Sequence, residues 1–101
     1  IIKILIQNML LKKLIKNVPK EIQTINVKGL AIDSKKIKKG FIFFAIKGKL
    51  SDGEYYIEEA IKNGAVAVVC SKSSKYKNKV IPVFKTLDIR AFLAHGMLKI
   101  L

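Results

Sequence analysis

A chain of 101 residues, half of them hydrophobic and with a formal charge of +13, is long enough for one domain with a real core and too short for a multi-site synthetic enzyme. Its apolar content excludes a disordered chain, and its single cysteine, Cys70, excludes a disulfide framework or a cysteine metal cluster and favours a reducing, cytoplasmic setting. The charge is almost wholly lysine, Arg90 being the one arginine, and it accompanies an abundance of isoleucine along the whole chain. That joint bias reads as a solvated surface shaped by an A/T-rich coding sequence, with nucleic acid disfavoured because no basic-Gly-aromatic-Gly strand appears.

At the N-terminus, Ile2, Leu5, Ile6, Met9, Leu10, Leu14 and Ile15 follow helical spacing and predict an amphipathic packing helix. Lys3, Gln7, Asn8, Lys12 and Lys13 interrupt the run, so no membrane-spanning stretch of roughly 20 apolar residues forms. The chain lacks an initial methionine, and a natural start at Met9 would make residues 1–9 an extension foreign to the domain. Pro19 is expected to end the helix. Ile25 to Ile32 reads as a strand, followed by Asp33-Ser34 and a lysine-rich turn to Gly40. Phe41 to Ile46 is a glycine-bounded apolar run expected to be a strand covered on both faces. After a loop from Gly48 to Gly53, the residues Tyr55, Tyr56, Ile57, Ala60 and Ile61 predict a helix with Glu58 and Glu59 facing water, stopped at Asn63-Gly64. Val66 to Cys70 is a buried strand, Ser71 to Lys79 an exposed loop, and Val80 to Phe84 an edge or end strand because of Pro82. Asp88 to Leu101 closes the chain as a helix. The order implies parallel pairing through a right-handed crossover and a small three-layer α/β/α domain with a mixed or parallel sheet of about four to five strands. In such domains the turn after a strand, with its Asp33-Ser34 pair, is where a small ligand is usually received.

The ordered set Asp33-Ser34-Lys35-Lys36, Gly40, Phe43, Ala45, Gly48, Asp52-Gly53, Ala60 and Gly64-Ala65, with Asp88-Ile89-Arg90-Ala91 beyond it, resembles the N-terminal domain of the Mur ligases, across roughly residues 10 to 100. The type adding diaminopimelate or lysine to the UDP-N-acetylmuramoyl-dipeptide is the nearer likeness. The type adding D-Ala-D-Ala is its competitor. The resemblance implies that the domain receives the UDP portion of the UDP-N-acetylmuramoyl-dipeptide, with contacts from Ile32 and Ser34 and a loop wall from Lys49, Leu50 and Ser51. It also implies partners in the form of central and C-terminal ligase domains outside these residues, with no membrane partner. Lys35 stands where the family pattern has arginine, which keeps the charge and loses the bidentate fork.

Each of these residues has a structural alternative. Asp33 and Asp52 can cap the turns that follow them, and Ser34 can be an ordinary turn hydroxyl. Gly40, Gly48 and Gly53 serve turn geometry first, Phe43 and Phe44 read as core, and His95 has no partner motif. The 101 residues contain no Gly-x-x-Gly-Lys-Thr/Ser loop to hold a triphosphate and its magnesium. ATP and Mg are therefore expected only in a full-length ligase, no cofactor is expected on this domain, and the isolated chain is expected to recognise substrate without catalysis. A small basic nucleic-acid-binding protein, and a fragment that only packs against other domains, are the competing readings.

Overall fold

A computed structural model of the chain describes residues 3–11, 23–47 and 52–100, with the backbone alone for 3–10 and 96–100. Five strands form one sheet in the order β1 (Lys3–Leu10), β2 (Asn26–Ala31), β3 (Phe41–Phe44), β4 (Ala67–Ser71) and β5 (Val83–Thr86). β1 pairs antiparallel with β2, and the other three pairings are parallel. Two helices complete the fold: α1 (Ile57–Lys62), entered through a 3-10 turn over Gly53–Tyr56, and α2 (Ile89–Ile100).

β3 is the middle strand, and all four of its residues are buried. Strand side chains alternate between faces, and the core divides accordingly. Ile42 and Phe44 join Val27, Leu30, Ala67, Val69 and Leu93 of α2 on one side. Phe41 and Phe43 join Ala31, Val68, Cys70, and Ile57 and Ala60 of α1 on the other. The Phe44 and Phe92 rings meet with centroids 6.4 Å apart, tilted at 53°, a favourable aromatic geometry that anchors α2 to the sheet. The three-layer α/β/α architecture with a mixed five-stranded sheet is thus present, and Cys70 packs as the small apolar residue the sequence implied, with no exposed surface.

The N-terminal helix is corrected to a strand over its described part. Residues 3–10 form β1, where β-branched Ile4 and Ile6 favour extended backbone and the free edge of β2 supplies the hydrogen-bond partners. The pairing steps four residues along β1, from Leu5 to Met9, against two along β2, from Gly29 to Val27. That irregularity breaks the two-residue period and leaves a spacing that mimics a helix. Residues 12–22, including Pro19 and the rest of the expected helix, lie outside the described residues. β5 begins at Val83, later than the sequence suggested. Asn78 Oδ1 accepts the N–H groups of both Val80 and Ile81, at 2.7 and 3.0 Å, and Pro82 has no N–H to give.

α1 is too short to be stable alone and is seated by close backbone contact at its end. Gly64, with φ +116°, would bring a Cβ to 2.6 Å from Lys39 Cα, and its carbonyl accepts the Gly40 N–H at 3.0 Å. Gly64→Ala should therefore lower stability by about 1–3 kcal/mol through backbone strain alone, more if Lys39 cannot yield. Urea unfolding monitored by circular dichroism checks this; an unchanged midpoint would refute the close approach.

Candidate functional site

Parallel pairing brings the C-terminal ends of β2, β3, β4 and β5 to one edge of the sheet, the edge at which open α/β sheets receive ligands. Ile32, Asp33 and Ser34 leave β2 at this edge. The segment leaving β3 departs beside them, because Ala31 and Phe43 are in register. Lys47 and Asp52 are paired in a short antiparallel bridge beyond the end of β3. Lys49, Leu50 and Ser51 lie between them in sequence and outside the described residues.

Two aspartates shape the turns in the same manner. Asp33, extended at φ −108°, ψ 119°, accepts the Lys35 N–H at 2.9 Å and opens a 3-10 turn over Ser34–Lys36. Asp52, at φ −110°, ψ 118°, accepts the Glu54 N–H at 3.0 Å. Each carboxylate satisfies an N–H that has no partner within its turn, which is the capping alternative realised at both positions. Gly53 follows because a Cβ there would lie 2.7 Å from the Ile46 nitrogen.

Ser34 and Ile32 part company at the end of β2. The Ile32 side chain is half-buried against the core on the α2 side. Ser34 is the one polar residue buried among the described residues, 4 % exposed, and faces α1. Its hydroxyl donates to Glu59 Oε1 at 2.6 Å, and its carbonyl accepts from Asn63 Nδ2 at 2.9 Å. A hydroxyl donating to a carboxylate at this distance is a charge-assisted bond, stronger than a neutral one. Glu59 and Asn63 are four residues apart and so share one face of the helix. Glu59 is exposed and Asn63 caps the helix end, as the sequence implies; what the sequence did not show is that both reach Ser34. The signal that could have found them is that shared spacing, which aims a carboxylate and an amide at the same neighbour.

A second polar cluster pins the loop after β4. Tyr76 donates its hydroxyl to Glu58 Oε1 at 3.1 Å and accepts from Asn78 Nδ2 at 3.1 Å, while its ring packs against the α1-side core. Burial pushes the Tyr76 hydroxyl above its ordinary pKa, the contact with Glu58 adding to the rise. Burial likewise pushes the Cys70 thiol up, against smaller opposing effects of a Ser74 hydrogen bond and the Lys85 ammonium. His95 is exposed on α2. No group of three or more histidine, cysteine, aspartate or glutamate side chains suited to a metal occurs among the described residues, and no helix among them is long and apolar enough to cross a membrane.

A sequence model described as the Mur ligase family, catalytic domain, matches residues 26–100. The chain belongs to the Mur ligase family. The match begins at the first residue of β2 and ends at the last of α2, so the whole parallel part of the sheet and both helices are family structure. The chain is 42% identical, over 90 residues, to the UDP-N-acetylmuramoyl-L-alanyl-D-glutamate--2,6-diaminopimelate ligase of Caldanaerobacter subterraneus, which covers 85% of this chain and 18% of that protein. It is 45% identical to the ligase of the same name from Aquifex aeolicus, across 68% of this chain and 14% of that one. Among solved structures, a MurF ligase from Thermotoga maritima in complex with ADP superposes with a TM-score of 0.58 at 30% identity, covering 66% of this chain and 15% of that one. MurF from Acinetobacter baumannii superposes with a TM-score of 0.62 at 19% identity, over 83% and 17% respectively, a likeness of fold. The Mur ligase chain thus spans less than a fifth of the length of these proteins.

Two measurements check this geometry. A double-mutant cycle of Ser34→Ala and Glu59→Ala should give a coupling of about 0.5–1.5 kcal/mol in unfolding free energy; additive losses would mean that the bond contributes nothing. Cys70, fully covered and held as the neutral thiol, should be labelled by a disulfide reagent at pH 8 only as fast as the sheet opens, and promptly in denaturant. Prompt labelling of the native chain would place Cys70 outside the core.

Proposed function

We propose that this Mur ligase domain recognises the UDP portion of a UDP-N-acetylmuramoyl-dipeptide for an ATP-dependent ligase that extends the peptidoglycan peptide, and that the 101 residues alone do not catalyse ligation. The observation that carries the proposal is the Asp33-Ser34 turn at the C-terminal end of β2, at the same sheet edge as the Lys47–Asp52 bridge, within a region that matches the family. The names of the relatives at 42 and 45% identity favour the diaminopimelate-adding type. The D-Ala-D-Ala-adding type remains the alternative.

Ile32 and Ser34, with the loop Lys49, Leu50 and Ser51, form the proposed contact surface. Backbone groups of such a loop can bond the edge of a uracil whatever side chains it carries. Ligation by an acyl phosphate requires a bound nucleoside triphosphate, and the matched residues lack a Gly-x-x-Gly-Lys-Thr/Ser loop to hold one. ATP and Mg therefore belong to the full-length ligase, whose cytoplasmic setting is part of the same proposal.

Calorimetric titration of the 101-residue chain with UDP should give saturable, weak binding. Ser34→Ala should weaken it roughly five-fold, the value of about one net hydrogen bond. No heat from a chain that circular dichroism shows to be folded would refute the proposal. Steeply salt-dependent binding to generic DNA, indifferent to Ser34, would instead support the nucleic-acid reading.

A further inference from the structure

The Ser34 hydroxyl has one proton and two lone pairs, and Glu59 takes the proton at 2.6 Å. The neighbouring Asn63 amide holds the Ser34 carbonyl, so the residue is fixed to α1 by both its side chain and its backbone. What the oxygen has left for another partner is acceptor capacity. A phosphate oxygen is also an acceptor and so cannot use that lone pair, and its negative charge would approach the Glu59 carboxylate, a like-charge contact that the exposure of Glu59 screens but does not reverse. An N–H or O–H group meets neither obstacle.

We propose that Glu59 is a positioning residue that locks Ser34 as a hydrogen-bond acceptor, so that Ser34 meets a donor on the nucleoside, the uracil N3–H or a ribose hydroxyl, and not the diphosphate. This deepens the UDP-binding reading and rests on it. The nucleoside end of the ligand then lies at the buried end of β2. The diphosphate lies away from Glu59, where the exposed Lys35 and Lys36 of the same turn can neutralise it without bidentate geometry.

The test is a titration of the 101-residue chain, as wild type and as Ser34→Ala, Glu59→Gln and Glu59→Leu, with UDP, N3-methyl-UDP, 2′-deoxy-UDP, 3′-deoxy-UDP and inorganic pyrophosphate. At least one donor-lacking nucleotide should bind the wild type roughly five-fold more weakly than UDP, and Ser34→Ala should abolish that difference. Pyrophosphate should bind the wild type and Ser34→Ala alike. Glu59→Gln, which still offers an acceptor to the serine, should keep the discrimination, and Glu59→Leu, which frees the proton, should lose it. If Glu59→Leu does not fold, the analogue series on wild type, Ser34→Ala and Glu59→Gln still decides.

Equal affinity of wild type for UDP and every donor-lacking nucleotide, or loss of pyrophosphate affinity in Ser34→Ala, would overturn the inference while leaving UDP binding intact. Discrimination that survives in a folded Glu59→Leu would overturn the role of Glu59. A folded wild type that binds no UDP at all would overturn the proposed function, and this inference with it.

Discussion

Burial of β3 on both faces is the constraint from which the rest of the domain follows. Phe41 and Phe43 need cover on one side and Ile42 and Phe44 on the other, and each such side chain contributes about 1.5–3 kcal/mol when fully removed from water. A single helix can cover only one face of a sheet. The chain therefore supplies α1 on one side and α2 on the other, and β3 can sit only in the middle of the strand order. Parallel pairing then fixes which ends lie together. The candidate ligand edge is thus a consequence of the core, since the same parallel pairing that buries β3 collects the C-terminal turns.

The seating of α1 extends that dependence to individual side chains. Its six residues bury Ile57 and Ala60 toward the sheet, and Gly64 lets its end close against the Lys39 backbone. With helix axis and end both fixed, Glu59 and Asn63 have little freedom over where they point. They meet Ser34 because the Asp33 cap starts the turn one residue earlier. A group buried to this degree loses water as a partner and must find others. Ser34 finds two on one helix face, which turns a flexible exit from β2 into a rigid one.

Much of this was legible in the residues. Glycine-bounded apolar runs gave the central strands, Asn63-Gly64 gave the end of α1, and Asp33 and Asp52 offered the capping alternative that both adopt, because each rests on local chemistry. The misses have non-local causes. β1 looked helical because pairing with β2 contains an irregularity that disturbs its alternation, and a partner strand is invisible in a single segment. β5 was placed early because Val80 and Ile81 have β-type side chains, while their N–H groups are taken by Asn78. Tyr76 sat in a polar, lysine-rich loop and gave no sign that its ring would reach the core. Glu59 faces solvent as its place on a short helix implies; its bond to Ser34 was not legible because that partner lies 25 residues earlier.

That last separation bears on how a motif should be converted into chemistry. Asp33-Ser34 taken alone offers a hydroxyl able to donate or accept, and in a strongly basic chain a phosphate is the natural first partner to imagine for it. The fold removes half of that capacity. On the proposed UDP-binding reading, with Glu59 holding the proton, the basic character of the surface and the polarity of the serine would address different parts of a nucleotide: lysines would attract its charge over a distance, while a single buried lone pair would discriminate by hydrogen bonding at contact. Electrostatic attraction of this kind is tolerant of residue identity, which is consistent with Lys35 standing where the family pattern has arginine. A locked acceptor is not tolerant, because a ligand group without a donor leaves it unsatisfied. If UDP is received at this edge as proposed, affinity and selectivity rest on different residues, and only the second depends on α1 being seated.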